Sequence, residues 1–345
     1  MKEESVGTKR PTVADVARRA GTSTAVVSYV LNDGPRPVSD PLRARVSRAI
    51  DELDYRPDRR AQALRRQRRW RQIGLLVPDL TLPLFGEFVG SVERHARMRD
   101  YLTLVGNTGY EPEREEEFVT AFTEGGIDGL VVVGACNATT TAAQCAQARV
   151  PVVWMHNVRG DIDSEIVGID HVEAGELATR HLVETHDCRD LAFVGGFTAD
   201  DVAHGDRETV EQRYHGAMQV DGAAITQVST DLTAGGAYAA VRDLLQRRPT
   251  LPAGVVVATY GQAAATTRAL VDHGLRIPED IKVVGFDGSQ DRYGQFDVTS
   301  AQQPVDAITD LALDNLNAPA ASATGPVPAA PVPFLHVGSS CGCRG

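Results

Sequence analysis

Residues 12–32 read TVADVARRAGTSTAVVSYVLN, and they spell two short helices meeting at a tight turn. Thr12 precedes apolar positions Val13, Val16, Ala17 and Ala20, with Asp15 placed three residues on as a capping box requires. Gly21 ends that helix. Ser23 caps a second stripe at Val26, Val27, Val30 and Leu31, which stops at Asn32-Asp33-Gly34-Pro35. A helix-turn-helix needs a small residue where its helices cross, a residue tolerant of positive φ in the turn, and a β-branched wedge on the second helix. Ala17, Gly21 and Val27 meet those needs. A third helix from Ser39, with Pro41 in its first turn, carries Leu42, Val46, Ala49, Ile50 and Leu53 and closes an all-α core.

Helix spacing alone also fits a small bundle that touches no nucleic acid, so the distribution of charge matters. The 345 residues carry a formal charge of -11, yet residues 1–72 hold 17 Lys and Arg against 9 Asp and Glu, a net of +8. The remainder holds 18 basic and 37 acidic residues, a net of -19. A basic head on an acidic body implies different partners for the two parts, the head being suited to a polyanion.

From Ile73 the pattern becomes α/β. The runs IGLLVPDL, YLTLVGN, GLVVVGA, VPVVWMHN, LAFVGG, GVVVATY and IKVVGFDG alternate with helical stretches, and each fits a strand of a parallel sheet covered on both faces. Ligands of such sheets gather beyond the carboxyl ends of the strands. The fold class expected is therefore an all-α helix-turn-helix domain followed by a two-lobed α/β sensor.

Other chemistries find little support. There is no Gly-x-Gly-x-x-Gly after a strand, no phosphate loop ending in Gly-Lys-Ser/Thr and no Gly-x-Ser-x-Gly elbow, so no enzyme is expected. The five cysteines are odd in number and scattered, which fits a reducing cytoplasm, and no cofactor or metal is expected. His181 and His186 read as ordinary helix residues, and Cys341-Gly-Cys343 as a frayed tail without a role. The first ten residues lead into no apolar export segment, and no stretch approaches 18 uninterrupted apolar residues, so neither export nor a membrane span is expected.

The stretch from Thr12 to Arg66, with RVSRAIDELDYRPDRRAQALRR at its end, resembles the amino terminus of LacI/GalR-family bacterial repressors. VGIDHVEAGELATRHL, GLRIPEDIKVVGFDG and SAQQPV resemble the same family's effector domain, which is similar to periplasmic sugar-binding proteins. The resemblance implies a homodimer that binds a pseudo-palindromic double-stranded DNA operator and answers to a small effector, a sugar or related polar metabolite, with repression as the output. It implies base contacts from Thr24, Ala25 and Tyr29 and phosphate contacts from Thr12, Ser23, Asn32 and Tyr55. A hinge over the minor groove would use Arg59, Ala61 and Leu64, the leucine as a wedge and the neighbouring arginines on phosphates. Asp58 stands where the family usually has Asn.

The implied effector residues are Phe85, Arg213, Tyr260 and Asp287, an aromatic face with a guanidinium and a carboxylate for vicinal hydroxyls. Here too the chain departs from the family: Thr259-Tyr260 replaces Asn-Asp, Gly288 replaces a second acid, and His156-Asn157 replaces Asp-Arg. Trp154 is either core or a further pocket ring. The domains implied are 1–58, a hinge at 59–72 and a sensor at 73–345, its first lobe at about 73–185 and 301–326 and its second at about 186–300 and 327–345. A transport solute-binding protein, and a regulator whose sensor only dimerises, stay open as alternatives.

Overall fold

Thr12 caps helix α1 (Val13–Arg19) as its position predicts: its N–H donates to Asp15 Oδ2 at 2.9 Å, and the Asp15 N–H returns to Thr12 Oγ1 at 3.4 Å. Gly21 takes φ +62, a conformation that lets the chain reverse into α2 (Thr24–Asn32). With α3 (Asp40–Glu52), these helices bury Val16, Ala17, Ala20, Val27, Val46 and Ala49 as one core. The computed structural model describes residues 12–32, 38–53, 71–158, 164, 166–198, 201–202, 205–248, 250–288, 297–317 and 330–343. The chain divides into two compact units, Met1–Trp70 and Arg71–Gly345. Tyr55, Asp58, Arg59, Ala61 and Leu64, and the side chain of Asn32, lie outside the described residues.

The second unit holds two sheets. The first has the order β2-β1-β3-β4-β5 and is parallel throughout, from β1 (Gln72–Val77), β2 (Leu102–Asn107), β3 (Gly129–Ala135), β4 (Val152–Val158) and β5 (Ile166–Val167). Helices α4 (Pro83–Met98), α5 (Pro112–Gly125) and α6 (Ala138–Ala148) belong with it. The second sheet has the order β11-β10-β9-β8-β6-β7, from β6 (Asp190–Gly195), β7 (Ala224–Ser229), β8 (Gly254–Val257), β9 (Lys282–Phe286), β10 (Thr299–Gln302) and β11 (Phe334–His336). Only β11 runs antiparallel to its neighbour. Its helices are α7 (His171–Arg180), α8 (Arg207–Met218), α9 (Ala234–Arg247) and α10 (Tyr260–Asp272), while α11 (Val305–Asn317) returns to pack on α4 and β4 of the first lobe. Trp154 is buried in the first lobe with Leu76, Val119 and Leu130, so it is core and no pocket ring.

Two sequence expectations need correction. The chain leaves the first lobe between β5 and α7, near residue 169, and not near 185. The reason is that α7 packs on α8 and on β9, β10 and β11 of the second lobe. Gly175 and Gly216 make that contact possible: a Cβ on Gly175 would lie 1.9 Å from the Arg213 carbonyl oxygen, and one on Gly216 would lie 1.9 Å from that of Val172. The crossing near 300 falls at Gln303, between β10 and α11, whereas the one near 327 lies outside the described residues. The segment from Ser339 to Cys343 is also docked and not frayed. Ser339–Cys341 form a 3-10 turn in which Ser340 Oγ donates to the Val283 carbonyl at 2.6 Å and Cys341 is fully buried.

Candidate functional site

In the amino-terminal unit, Thr24 and Ala25 open α2 and are exposed, while Tyr29, one turn beyond Ala25, is half-buried. Thr12 and Ser23 are exposed at the starts of α1 and α2; at α1 the Asp15 carboxylate already takes the Thr12 N–H and hydroxyl, whereas at α2 the helix N–H groups and the positive end of the helix dipole favour an anion. No acidic residue occupies the first turn of α2 to offset that potential. The opposite face buries Val27. One face of α2 is thus spent on folding, and the other, with Thr24 and Ala25, is exposed.

In the second unit a cavity of about 600 Å³ lies between the lobes, at the carboxyl ends of the strands. All four residues expected there line it: Phe85 from α4, Arg213 from α8, Tyr260 at the start of α10 and Asp287 just after β9. Arg213 and Asp287 are an ion pair at 2.5 Å, with side chains only 3% and 4% exposed. Arg213 also donates to the Ala258 carbonyl at 2.8 Å and lies 4.4 Å above the ring of Phe286. Both members belong to the second lobe, so the pair does not bridge the lobes. The close contact at Gly175 and Gly216 sets the height of α8 and with it the position of Arg213.

The bridge is made by the His156-Asn157 pair with Gln303 and Asp206, two residues that motif reading left aside. Gln303, at the crossover, donates to Asp287 Oδ1 at 2.9 Å and pairs with His156 Nδ1 at 3.2 Å. His156 Nε2 meets Asp206 Oδ2 at 2.9 Å, and Asn157 donates to Asp206 Oδ1 at 2.8 Å. Asp206 is the cap of α8, so the two side chains that replace the family's Asp-Arg reach across to the second lobe. Burial alone would raise the Asp206 pKa. The hydrogen bond and charge of His156, with bonds from Thr209 and Asn157, outweigh it and hold the carboxyl well below the ordinary range.

His156 has φ +69, where the β3–β4 ladder shifts register, and Asp287 has φ +53. Such strain in non-glycine residues is retained where side chains must be aimed away from the pleat. The ring of His156 packs edge-on against Phe85 at 5.8 Å and His171 at 5.0 Å. Burial, then the nearby Arg213 and His156, push the His171 pKa far down. The spacing of 156, 206, 287 and 303 carries no local signal; the one available hint was a polar pair, His156-Asn157, ending an apolar strand.

A helix-turn-helix unit carried in one chain with a two-lobed, cleft-bearing unit defines a ligand-responsive DNA-binding regulator. The comparisons agree. Residues 12–58 match the family described as bacterial regulatory proteins, lacI family, and residues 179–341 match the periplasmic binding protein-like domain. The ribose operon repressor of Escherichia coli (strain K12) is 30% identical over 315 residues, covering 88% of this chain and 92% of that protein. A solved lac repressor dimer bound to operator and an anti-inducer aligns with TM-score 0.73 at 22% identity, over 96% of this chain and 99% of that one, which is a likeness of fold. A complex of the transcriptional regulator CelR with cellobiose aligns with TM-score 0.63 at 26% identity, over 96% and 100%. The chain belongs to the lacI family of bacterial regulatory proteins and is a DNA-binding transcription regulator.

Among the described residues no helix is long and apolar enough to cross a membrane.

Proposed function

We propose that this protein is a homodimeric repressor of the cytoplasm that binds a pseudo-palindromic operator and changes affinity when a sugar or related polyol occupies the cleft. Thr24, Ala25 and Tyr29 read bases, and Thr12, Ser23, Asn32 and Tyr55 hold phosphates. Arg59, Ala61 and Leu64 act at the minor groove. The observation that carries the effector reading is the cavity itself. Its volume suits a mono- or disaccharide, and it sets the rings of Phe85, Tyr110 and Tyr260 against Arg213, Asp206 and Asp287. Asp79, Asp206, Asp231 and Asp287 outnumber Arg213 and His156 along the wall, which favours neutral hydroxyls over an anionic ligand.

The cleft acts by binding and not by turnover, since Arg213, Asp287, His156 and Asp206 at its centre are tied into an ion pair and interlobe hydrogen bonds. A ligand that binds the two lobe arrangements unequally supplies the control, typically by about 1–3 kcal/mol. The test is thermal unfolding and calorimetry of the full chain against a panel of neutral sugars, sugar phosphates and sugar acids. A neutral sugar at one hundred times its dissociation constant should add about 2.7 kcal/mol of stability and shift operator affinity in a gel assay. Tyr260→Ala should lose that response while keeping operator binding. Binding by sugar phosphates alone would overturn the ligand class, and operator affinity indifferent to any bound ligand would overturn the sensor.

A further inference from the structure

Four side chains that the cleft does not use converge at the base of the second lobe. Helix α7 ends in a π turn, His181–Thr185. In an α-helix, residues five apart point about 140° away from one another. The wider π turn instead brings His186 beside His181, with ring centroids 5.0 Å apart and nearly perpendicular. The carboxyl-terminal segment arrives from the other side. Gly342, at φ +89, reverses the chain between Cys341 and Cys343, a conformation that favours glycine, so that both thiols face the histidines.

Cys343 Sγ lies 3.4 Å from His186 Nε2 and 3.8 Å from His181 Nε2. The donor atoms of all four residues lie within 4.8 Å of one another. A tetrahedral zinc ion, with bonds of about 2.3 Å to sulfur and about 2.0–2.1 Å to nitrogen, sets its ligand atoms roughly 3.4–3.8 Å apart. Two edges already have that length, and the widest gap closes by about 1 Å. The surroundings are those of a built site. Thr299 Oγ1 donates to Cys341 Sγ at 3.0 Å, the Cys343 N–H donates to the same sulfur at 3.5 Å, and Thr185 Oγ1 meets His181 Nδ1 at 3.4 Å, leaving Nε2 for the cluster. Cys341 is buried, whereas His186 and Cys343 are half-buried and leave a way in.

We infer that His181, His186, Cys341 and Cys343 bind one zinc-class divalent cation per chain, tying the carboxyl end of the protein to the end of α7. Two thiols and two imidazoles select a borderline-soft tetrahedral ion over magnesium or calcium, and four protein ligands close its shell, the mark of a structural site. The imidazoles bind as neutral ligands, and each thiol releases one proton, so two protons leave per ion bound. The ion would join two segments about 160 residues apart at the foot of the lobe whose α7–α8 contact positions Arg213.

The experiment uses the full-length chain, reduced with a phosphine, stripped by a chelator and titrated with cobalt(II), then zinc(II). The expected result is one cobalt per chain, with the intense visible bands of tetrahedral coordination and a sulfur-to-cobalt charge-transfer band, all lost when one equivalent of zinc is added. Cys343→Ser and His186→Ala alter half-buried positions and should keep the fold by circular dichroism; the first should lose roughly half of the charge-transfer intensity, the Cys341 sulfur keeping the rest, and the second should weaken cobalt binding by about 10-fold or more. Thr299→Val should weaken zinc binding by about 10-fold through loss of the bond to Cys341. Failure of the reduced protein to bind cobalt one-to-one, as two free thiols or a former Cys341–Cys343 disulfide would produce, overturns the site. So does a spectrum unchanged in Cys343→Ser.

Discussion

Replacing Asp287 with asparagine isolates the charge at the centre of the cleft. Asparagine accepts the left-handed backbone of this position, and its oxygen can still accept from Gln303, so shape and one hydrogen bond survive. What is lost is the counter-charge of a guanidinium only 3% exposed. Leaving one member of a buried pair uncompensated costs about 3–5 kcal/mol. Arg213 keeps its bond to the Ala258 carbonyl and its place over Phe286, which puts the expectation near the lower end, about 3 kcal/mol. At about 2–4 °C per kcal/mol, the melting temperature should fall by roughly 6–12 °C. Arg213→Met should cost a similar amount, since it strands a buried carboxylate. The double variant should cost clearly less than the two together, because no unpaired charge then remains. Calorimetric unfolding of parent, both single variants and the double variant completes the cycle. Single losses under about 1 kcal/mol, or losses that simply add, would refute the view that Arg213 and Asp287 depend on each other.

Gly175→Ala should force α7 from α8, displace the Arg213 backbone and abolish sugar binding with a stability loss of about 1–3 kcal/mol; sugar affinity equal to the parent's would mean that the contact does not position the site. Tyr29→Ala should change which operator bases are preferred, while Ser23→Ala should weaken all operators by a similar factor, and binding to a randomised operator library reads both. Asp206 has a depressed pKa, so its contribution is present above the unfolded carboxylate value near about 3.9 and is lost as pH falls below it. Stability of Asp206→Asn followed against pH should therefore lie below the parent at neutral pH and approach it in acid; a constant offset down to the lowest pH would contradict a carboxyl held ionised by its hydrogen bonds.

Much of the molecule was legible from local pattern. Thr12, Gly21 and Ser23 act on neighbours within four residues, and Val16, Val27 and Val46 fall on a helical period, so the three-helix unit could be read window by window. The seven apolar runs became strands for the same reason. Strand β7 escaped notice: it is an edge strand, AITQVS, partly exposed and with no continuous apolar run to announce it. Strands β5, β10 and β11 are two to four residues long, too short for periodicity to register.

The cleft divides along the same line. Phe85, Arg213, Tyr260 and Asp287 were reached by resemblance, and the structure brings them to one cavity. His156, Asp206 and Gln303 meet only because two lobes close on one another, and His181 meets Cys343 only because the last strand returns the chain to α7. Periodicity, capping and charge are properties of adjacent residues, and by themselves they determined the class of each unit, the basic head and the buried face of α2. Which distant polar groups lie within hydrogen-bond reach, where the chain passes between lobes and whether the cysteine tail is docked or loose depend on close packing such as that of Gly175 against the Arg213 backbone. Only the tertiary structure decided them, because contact between remote segments is set by the shape of the assembled core and by no single window of residues.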